Sequence, residues 1–197
     1  MANEIKDSGK TREFSTGSHR DMSVGKGRMD LVPAYAVQRA KAVLDYWMED
    51  MCTKKYTIKQ FLNEALNAAT AYIAGDTDQD YLAIAAANAL CALGKSESSQ
   101  MVEGYDIDSQ TDLLSIWASG LLAVSKHYEA GALKYGENNW MKGQPMHVLL
   151  DSGMRHNCKA LAGITDEPHL RALAWNYLGA IWTEKNLPEM QDIPTRS

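Results

Sequence analysis

Residues 131–140 bring together side chains that suit nucleotide binding, in the order Gly-Ala-Leu-Lys-Tyr-Gly-Glu-Asn-Asn-Trp. Lys134 supplies a cation for a phosphate group, Tyr135 and Trp140 supply aromatic faces for a base, and Asn139 supplies amide donors and acceptors. The glycine after Tyr135 is also typical of an ordinary helix end in the left-handed conformation, which explains the spacing equally well. The stretch therefore indicates a candidate nucleotide site, and further support must come from the residues around it.

Two histidines and an asparagine are predicted to point inward from two helices of the C-terminal half. His169 and Asn176 are seven residues apart, so they share one face of a helix. His156 lies on the same stripe as Leu149 and Gly153, which also points it inward. One inward histidine is usually a hydrogen-bonded core residue, whereas two of them with an asparagine predict a polar site. We expect these imidazoles and the carboxamide to meet the Lys-Tyr turn around a single cavity.

Hydrolysis of a phosphate ester with Mg²⁺ or Mn²⁺ requires carboxylates grouped around the ion. Glu129 is the most interesting candidate, because it lies in the helix that leads into the Lys-Tyr turn. Asp151 and Asp166 are the other candidate metal ligands, although Asp166 also suits the first turn of a helix. Arg155 is a candidate phosphate contact, but its position four residues after Asp151 favours a helical ion pair.

A metal site made of histidines is the less favoured alternative. The sequence has neither an HExxH motif nor a His-Asp doublet to support one. The histidines considered are His127, His147, His156 and His169.

Composition and charge argue against several classes of protein. The net charge of −5 disfavours a general nucleic-acid binder, because affinity for a phosphate backbone requires clustered Lys and Arg, although a local pocket can still hold a small anion. No segment has transmembrane length, and the N-terminus lacks a signal peptide. The three cysteines are far apart and form no CxxC pair, which favours buried apolar roles in a reducing compartment. We therefore expect a soluble cytoplasmic protein that binds neither nucleic acid nor membranes.

The elements that position these residues are predicted to be helices. Apolar residues recur at helical spacing from Pro33 onward and alternating strand patterns are scarce, so the fold class is all-α. Residues 29–94 form a first helical half and 110–187 a second, with a polar linker over 95–109 and an irregular tail over 188–197. The predicted helices are 34–51, 57–74, 78–94, 110–135, 146–162 and 166–185.

Residues 1–28 form a separate arm that is rich in Gly, Ser, Thr, Lys and Arg and poor in large apolar side chains. Such a segment cannot fold alone, so it is either a disordered tail or an arm that orders over a partner or ligand. Its His19, Arg20 and Lys26, with nearby backbone N–H groups, are candidate phosphate contacts. The arm does not match the GxxxxGK[ST] phosphate-binding loop.

An internal repeat is predicted, because residues 61–93 align without gaps onto 149–181 with ten identities in 33 positions. The centre of the match is Ala-Gly-x-Thr-Asp, at 74–78 and 162–166. Its glycines are expected to end one helix in the left-handed conformation, and its threonines to cap the next helix. Each unit would be a helix hairpin, and the two together a helical bundle with a pseudo-two-fold axis. Polar differences between the copies favour the second half as the functional one.

Several segments taken together resemble one family, the phage-encoded dATP/dGTP diphosphohydrolase-like proteins, which are related to MazG-type all-α nucleotide pyrophosphohydrolases. The resemblance covers residues 15–40 and 125–185. It implies hydrolysis of a purine deoxynucleoside triphosphate to the monophosphate and pyrophosphate, with Mg²⁺ or Mn²⁺, in the cytoplasm of a phage host. The segments that carry it are 19–21, 25–33, 131–140, 155–156, 169–170 and 174–176.

Under this resemblance the candidate residues take three roles. Glu129, with Asp151 and Asp166, would hold the metal ion, and Glu129, His156 and His169 would be catalytic. A purine nucleotide is the expected ligand, and a homo-oligomer is the expected state. The residues predicted to contact the substrate are Lys134, Tyr135, Asn139, Trp140, Arg155, Asn176, His19, Arg20 and Lys26.

Two alternatives to the enzyme remain open. A binding protein without turnover would use the same pocket to sequester a nucleotide or a nucleotide signal, or would bind a host protein. A purely structural helical module would explain the repeat, but it would not explain residues 131–140.

Overall fold

The computed structural model describes residues 11–21, 24–54, 56–101 and 113–196. Within these residues the fold is an all-α bundle, as predicted, apart from one two-stranded hairpin in the arm. None of the described helices is long and apolar enough to cross a membrane. The helices are α1 (Ala34–Lys54), α2 (Ile58–Ala74), α3 (Tyr81–Met101), α4 (Leu113–Tyr135), α5 (Met146–Leu161) and α6 (His169–Asn186).

Helix α3 lies at the centre of the bundle, where it contacts α1, α2, α4 and α6. Residues 82–93 are all buried, because the helix is apolar on every side over this segment. Asn88 is its one amide residue there, and its side chain donates a hydrogen bond to the carbonyl oxygen of Ile84 (2.9 Å). Helix α2 pairs with α3 and α5 pairs with α6, and these two hairpins also contact each other.

Helices α3 and α4 cross with their backbones in direct contact. A Cβ atom added to Gly94 would overlap the carbonyl oxygen of Ile116, and one added to Gly120 would overlap the carbonyl oxygen of Leu90. The two glycines therefore allow an approach that any side chain would prevent. This crossing fixes α4, which carries Glu129, against the centre of the bundle.

The described part of the arm contains a β-hairpin that the sequence does not predict. Strand β1 (Thr11–Glu13) pairs antiparallel with β2 (His19–Asp21), and Arg12 lies opposite Arg20 in this register. The arm then continues along α4 and enters a short 3-10 helix at Met29–Leu31. It is therefore ordered against the protein's own helix over these residues.

Two helix starts differ from the sequence prediction. Helix α3 begins at Tyr81 and α6 at His169. Thr77 and Thr165 lie four residues before these starts, which is too far to occupy the N-cap positions. Asp80 accepts a hydrogen bond from the backbone N–H of Ala83 (3.2 Å) and thus takes the capping role for α3. At α6 a proline precedes the first helical residue, and no side chain caps that end.

The glycine part of the same prediction is confirmed. Gly75 and Gly163 both have positive φ values, of 94° and 74°, at the ends of α2 and α5. Helix α3 continues to Met101 instead of ending at residue 94, so the predicted linker 95–109 begins within a helix, and its remainder lies outside the described residues. The pseudo-two-fold repeat stays a prediction.

One ionic network joins four helices and the C-terminal segment. The guanidinium of Arg39 donates two hydrogen bonds to Asp80 (2.6 and 2.8 Å) and one to Glu184 (2.6 Å). Glu184 also accepts a hydrogen bond from the hydroxyl of Tyr72 (2.8 Å), which in turn accepts one from the side-chain amide of Gln191 (2.8 Å). The network connects α1, α2, the start of α3, α6 and the tail.

The tail, predicted to be irregular, begins with a short 3-10 helix at Pro188–Met190, and its last residues pack on α2. The hydroxyl group of Thr195 donates a hydrogen bond to the carbonyl oxygen of Ile73 (2.6 Å), and Nε of Arg196 donates one to the carbonyl oxygen of Tyr72 (2.8 Å). Ile193 is buried beneath these contacts. The tail therefore covers the C-terminal end of α2.

Candidate functional site

Glu129 holds the arm against α4. Its Oε1 accepts a hydrogen bond from the backbone N–H of Gly25 (2.8 Å), and its Oε2 accepts one from that of Gly27 (3.0 Å). Both glycines adopt the left-handed region, with φ values of 83° and 86°, which turns the two N–H groups toward the same carboxylate. The backbone N–H of Arg28 also donates to the carbonyl oxygen of Ser125 (3.1 Å).

A basic cavity of about 750 Å³ lies between the arm and α4. Arg12, Arg20 and Lys26 bring three positive charges to its lining. The charge of Arg28 is offset, because its guanidinium pairs with Asp30 (2.7 Å) and Glu137 (2.6 Å). With Glu129, the lining holds four basic and three acidic side chains, so it carries a net charge of +1 and could hold a small anion beside Arg12, Arg20 and Lys26. Apolar parts of its lining come from Phe14, Val24, Met29, Ala132 and Leu133.

A second cavity, of about 340 Å³, has an aromatic lining. It shares Ala132 with the basic cavity, so the two cavities adjoin on α4. The rings of Tyr128 and Trp140 meet edge to face, with 5.8 Å between centroids. The hydroxyl of Tyr128 and the indole N–H of Trp140 are both buried without a hydrogen-bond partner in the described protein. Other polar and aromatic groups of the lining are Tyr135, Asn138, Asn139, Gln144 and Trp175.

Three ionisable side chains meet where α5 turns into α6. His156 Nδ1 lies 3.0 Å from His169 Nδ1, and Glu167 Oε1 lies 3.7 Å from the former and 3.5 Å from the latter. His169 is 4% exposed, and burial lowers the pKa of His156. The sequence analysis disfavours a histidine metal site, yet within the described residues this group has its candidate ligand atoms within 4.8 Å of one another.

His127 lies beside Trp175, which lines the aromatic cavity. Its ring lies 6.1 Å from that of Trp175, between centroids, and burial is the main cause that lowers its pKa, followed by the charge of His156. Trp175 in turn lies 6.2 Å from Tyr128. A row of rings therefore leads from His127 through Trp175 to Tyr128 in the aromatic cavity.

The imidazoles and the Lys-Tyr turn do not share one cavity, which corrects that expectation. His169 lines a separate cavity of about 390 Å³ together with Glu167 and Arg171. Trp175, six residues after His169, faces the aromatic cavity instead, because six residues turn a helix to a different side. Asn176 is buried in the helix packing and donates its side-chain hydrogen bond to the carbonyl oxygen of Ala172 (2.8 Å).

Other candidate substrate contacts lie at the protein surface. Arg155 forms the helical ion pair with Asp151 that the spacing favours, at 3.0 Å. The ammonium group of Lys134 lies 4.9 Å from the centroid of the Tyr135 ring. Lys134 and Tyr135 are both exposed at the end of α4. His19 lies in strand β2 of the arm, beside Arg20.

The three carboxylates predicted to bind Mg²⁺ are not grouped in the described structure. Glu129 lies under the arm, Asp151 is on the exposed side of α5, and Asp166 is in the α5–α6 turn, where it contacts Lys159 (3.2 Å). No group of three ligand atoms among the described residues includes any of them. Mg²⁺ prefers several oxygen ligands at about 2.0–2.1 Å in an octahedral arrangement. The residues therefore do not fit the predicted magnesium site.

Four residues that line the site were not selected from the sequence. Tyr128 lies seven residues before Tyr135, a helical spacing that would have placed it on the same face. Arg12 and Phe14 reach the basic cavity through the β-hairpin, for which the sequence pattern gives no signal. Glu167 is a carboxylate near the site like Asp166, but because it also suits the first turn of a helix it is not among the predicted ligands.

The comparison with protein families agrees with the sequence resemblance. Residues 102–193 match the family model described as dATP/dGTP diphosphohydrolase, N-terminal. This range includes α4, α5 and α6, with the aromatic cavity and the imidazole cluster, and it leaves out the arm. No curated protein and no solved structure matches the chain. Residues 102–193 are therefore similar to the dATP/dGTP diphosphohydrolase N-terminal family, which supports the family that the sequence resembles.

Proposed function

We propose that this protein hydrolyses a purine deoxynucleoside triphosphate to the monophosphate and pyrophosphate, and so acts in nucleotide metabolism. The observation that carries the proposal is the meeting of an aromatic cavity and a basic cavity at Ala132. A nucleoside triphosphate has the same division, with a flat base at one end and a polyanion at the other. The family match supports the same substrate class.

The base would occupy the aromatic cavity. Stacking of a base on an aromatic side chain is worth about 1–3 kcal/mol, and Tyr135 offers an exposed ring for it; Trp140 and Tyr128 also line the cavity. Their indole N–H and hydroxyl groups are buried without partners, and the acceptors on a purine ring would satisfy such donors. Asn139 and Gln144 add amide groups that can both donate and accept.

The phosphates would extend into the basic cavity. Arg12, Arg20 and Lys26 line it, and guanidinium groups bind phosphate oxygens through paired hydrogen bonds. In the reaction a water oxygen bonds to the α-phosphorus, and the bond from that phosphorus to the bridging oxygen breaks. The bridging oxygen leaves with the pyrophosphate, whose charge these side chains would stabilise.

A nucleotide-binding protein without turnover is the second candidate, and Glu129 favours it. Both oxygens of this carboxylate accept hydrogen bonds from the arm, and the other predicted metal ligands lie elsewhere. We assign no Mg²⁺ ligand and derive no step through that ion. The two candidates share the cavities and differ only in turnover.

The distinguishing experiment incubates the purified protein with each deoxynucleoside triphosphate, with Mg²⁺ or Mn²⁺ present, and measures pyrophosphate. Release from dATP or dGTP above that from dCTP and dTTP supports the enzyme. Purine nucleotide binding by calorimetry without pyrophosphate release supports the second candidate. Neither binding nor release would contradict both.

A matched pair of variants tests the assignment of the base cavity. Tyr135 and Tyr46 are both exposed tyrosines on helices, but only Tyr135 lines the aromatic cavity. Tyr135→Ala should weaken purine nucleotide binding by about tenfold, since one stacking contact is lost. Tyr46→Ala should leave the dissociation constant unchanged. Equal effects in the two variants would contradict the assignment.

A further inference from the structure

The imidazole cluster has donor atoms at the separations found around one metal ion. His156 Nδ1, His169 Nδ1 and Glu167 Oε1 are 3.0, 3.5 and 3.7 Å apart in pairs. These distances define a triangle whose circumscribed circle has a radius of about 2.0 Å, so one point lies that far from all three atoms. Zn²⁺ binds imidazole nitrogen at about 2.0–2.1 Å and carboxylate oxygen at about 2.0–2.2 Å. The cluster could thus accept such an ion with little movement.

One shared proton would explain why the two imidazoles lie close together, but not why Glu167 lies beside both of them. Each neutral imidazole nitrogen presents either a proton or a lone pair, so one proton can join the two Nδ1 atoms. Glu167 Oε1 then gains no proton from either ring, although it lies within 3.7 Å of both; its recorded hydrogen bond comes from the ammonium group of Lys159, at a long 3.4 Å. A divalent cation would attract all three donors at once.

The groups around the cluster match the usual surroundings of a metal-bound imidazole. When Nδ1 binds a metal, Nε2 carries the proton and commonly donates it to a carboxylate. Asp166 Oδ1 lies 2.6 Å from His169 Nε2. This nitrogen is buried, and the contact as it stands does not have hydrogen-bond geometry. A small rotation of the Asp166 side chain would complete the pair.

An ion at this position would have a route of entry and a free coordination position. Glu167 is exposed, and together with His169 and Arg171 it lines the cavity of about 390 Å³. Three protein ligands leave the fourth position of a tetrahedral ion to water or to an anion. Arg171 is the cation in the lining of this cavity, where it pairs with Glu97 (2.7 Å).

We propose that His156, Glu167 and His169 form a binding site for a divalent first-row transition metal ion of the zinc type. The ligands are two Nδ1 nitrogens and one carboxylate oxygen, a set that zinc-type ions accept and Mg²⁺ disfavours. The site is distinct from the carboxylates that the sequence suggests for Mg²⁺. It does not depend on the proposed hydrolysis, because binding of the ion is measurable without nucleotide.

The experiment titrates the chelator-treated, metal-free protein with Co²⁺ and follows the visible absorption, then displaces Co²⁺ with Zn²⁺. We expect intense bands typical of a four-coordinate ion, saturation at one ion per chain, and loss of the bands on addition of Zn²⁺. Millimolar Mg²⁺ should not displace the ion. Absence of a saturable signal would overturn the proposal.

Variants locate the ion. Glu167→Gln retains the shape of an exposed side chain and should weaken Zn²⁺ binding at least tenfold, and His156→Asn should weaken it at least a hundredfold. His147→Ala is the matched control, because His147 is an exposed histidine that pairs with Asp192 away from the cluster. It should bind Zn²⁺ as the parent protein does.

Circular dichroism on each variant separates loss of a ligand from loss of the fold. Glu167→Gln removes no buried group, so it keeps the test valid if His156→Asn fails to fold. Zn²⁺ affinity that is unchanged in a folded Glu167→Gln protein, or that is lost in His147→Ala, would contradict the assignment.

Discussion

Glu129 and His169 are buried polar side chains that meet different surroundings. Both oxygens of Glu129 accept hydrogen bonds from backbone N–H groups, which is how a buried carboxylate is usually stabilised. His169 is also buried, but its Nε2 has no hydrogen bond in proper geometry. A buried polar group left in this way costs about 1–3 kcal/mol. Glu129 therefore already serves to hold the arm, whereas His169 Nε2 lies 2.6 Å from the Asp166 carboxylate, and a turn of that side chain would satisfy it.

The two described cysteine side chains should differ sharply in reactivity. Burial raises the pKa of the Cys91 thiol to about 12, and Cys158 is exposed on α5. Because the thiolate is the reactive form, iodoacetamide at pH 8 should modify Cys158 and spare Cys91 in the folded protein. Mass spectrometry of the digested protein measures each site. In denaturant both should react, and modification of Cys91 without denaturant would contradict the burial.

At the scale of the element, the crossing of α3 and α4 depends on two residues without side chains. Gly94 and Gly120 lie at the contact, and each would place a Cβ atom into a carbonyl oxygen of the opposite helix. Backbone atoms cannot move aside as a flexible side chain can. The spacing of these helices, and with it the position of the arm and both cavities on α4, therefore depends on these glycines.

Replacement of glycine by alanine in α4 should have opposite effects at two positions. Gly120→Ala would overlap the carbonyl oxygen of Leu90, so it should lower the free energy of unfolding by about 1–3 kcal/mol. Gly131→Ala has no atom within 4 Å of the added Cβ and should raise it by up to about 1 kcal/mol, because alanine favours the helix. Urea unfolding measures both. A stable Gly120→Ala protein would disprove the close crossing.

The helices were predictable from the sequence, because apolar residues at helical spacing mark a core face wherever it packs. Their starts were less so. Thr77 and Asp80 are both candidate caps in this turn, and only the hydrogen bond from the Ala83 backbone N–H to Asp80 shows which residue the helix uses. The β-hairpin of the arm has no apolar face to reveal it. The spacing of His156 and His169 predicts a polar site. The sequence does not predict that Glu167 lies beside them, because its position depends on the path of the α5–α6 turn.

At the scale of the whole molecule, Arg39 connects parts of the chain that are distant in sequence. Its guanidinium joins α1 to Asp80 at the start of α3 and to Glu184 in α6. Tyr72 and Gln191 extend the network to α2 and to the tail. The two hairpins are thus joined by charge as well as by the apolar core.

Removal of this guanidinium should weaken the entire bundle. Arg39→Met would leave two carboxylates without their partner, and we expect a loss of about 1–3 kcal/mol in the free energy of unfolding. Arg39→Lys keeps the charge but cannot form the paired bonds to Asp80, so its loss should be intermediate. Thermal and urea unfolding measure both. If Arg39→Met were as stable as the parent protein, the network would be a surface contact only.

The arm also has a consequence for the order of events in folding. Its bonds to Glu129 join residues that are 104 and 102 positions apart, so they can form only after α4 is in place. Late contacts govern the rate of unfolding and leave the refolding rate nearly unchanged. Gly27→Ala, whose methyl group would overlap Ser125, should therefore unfold faster in stopped-flow experiments than Gly25→Ala, which has the same backbone strain and open space. The arm would behave as the last segment to dock and the first to leave.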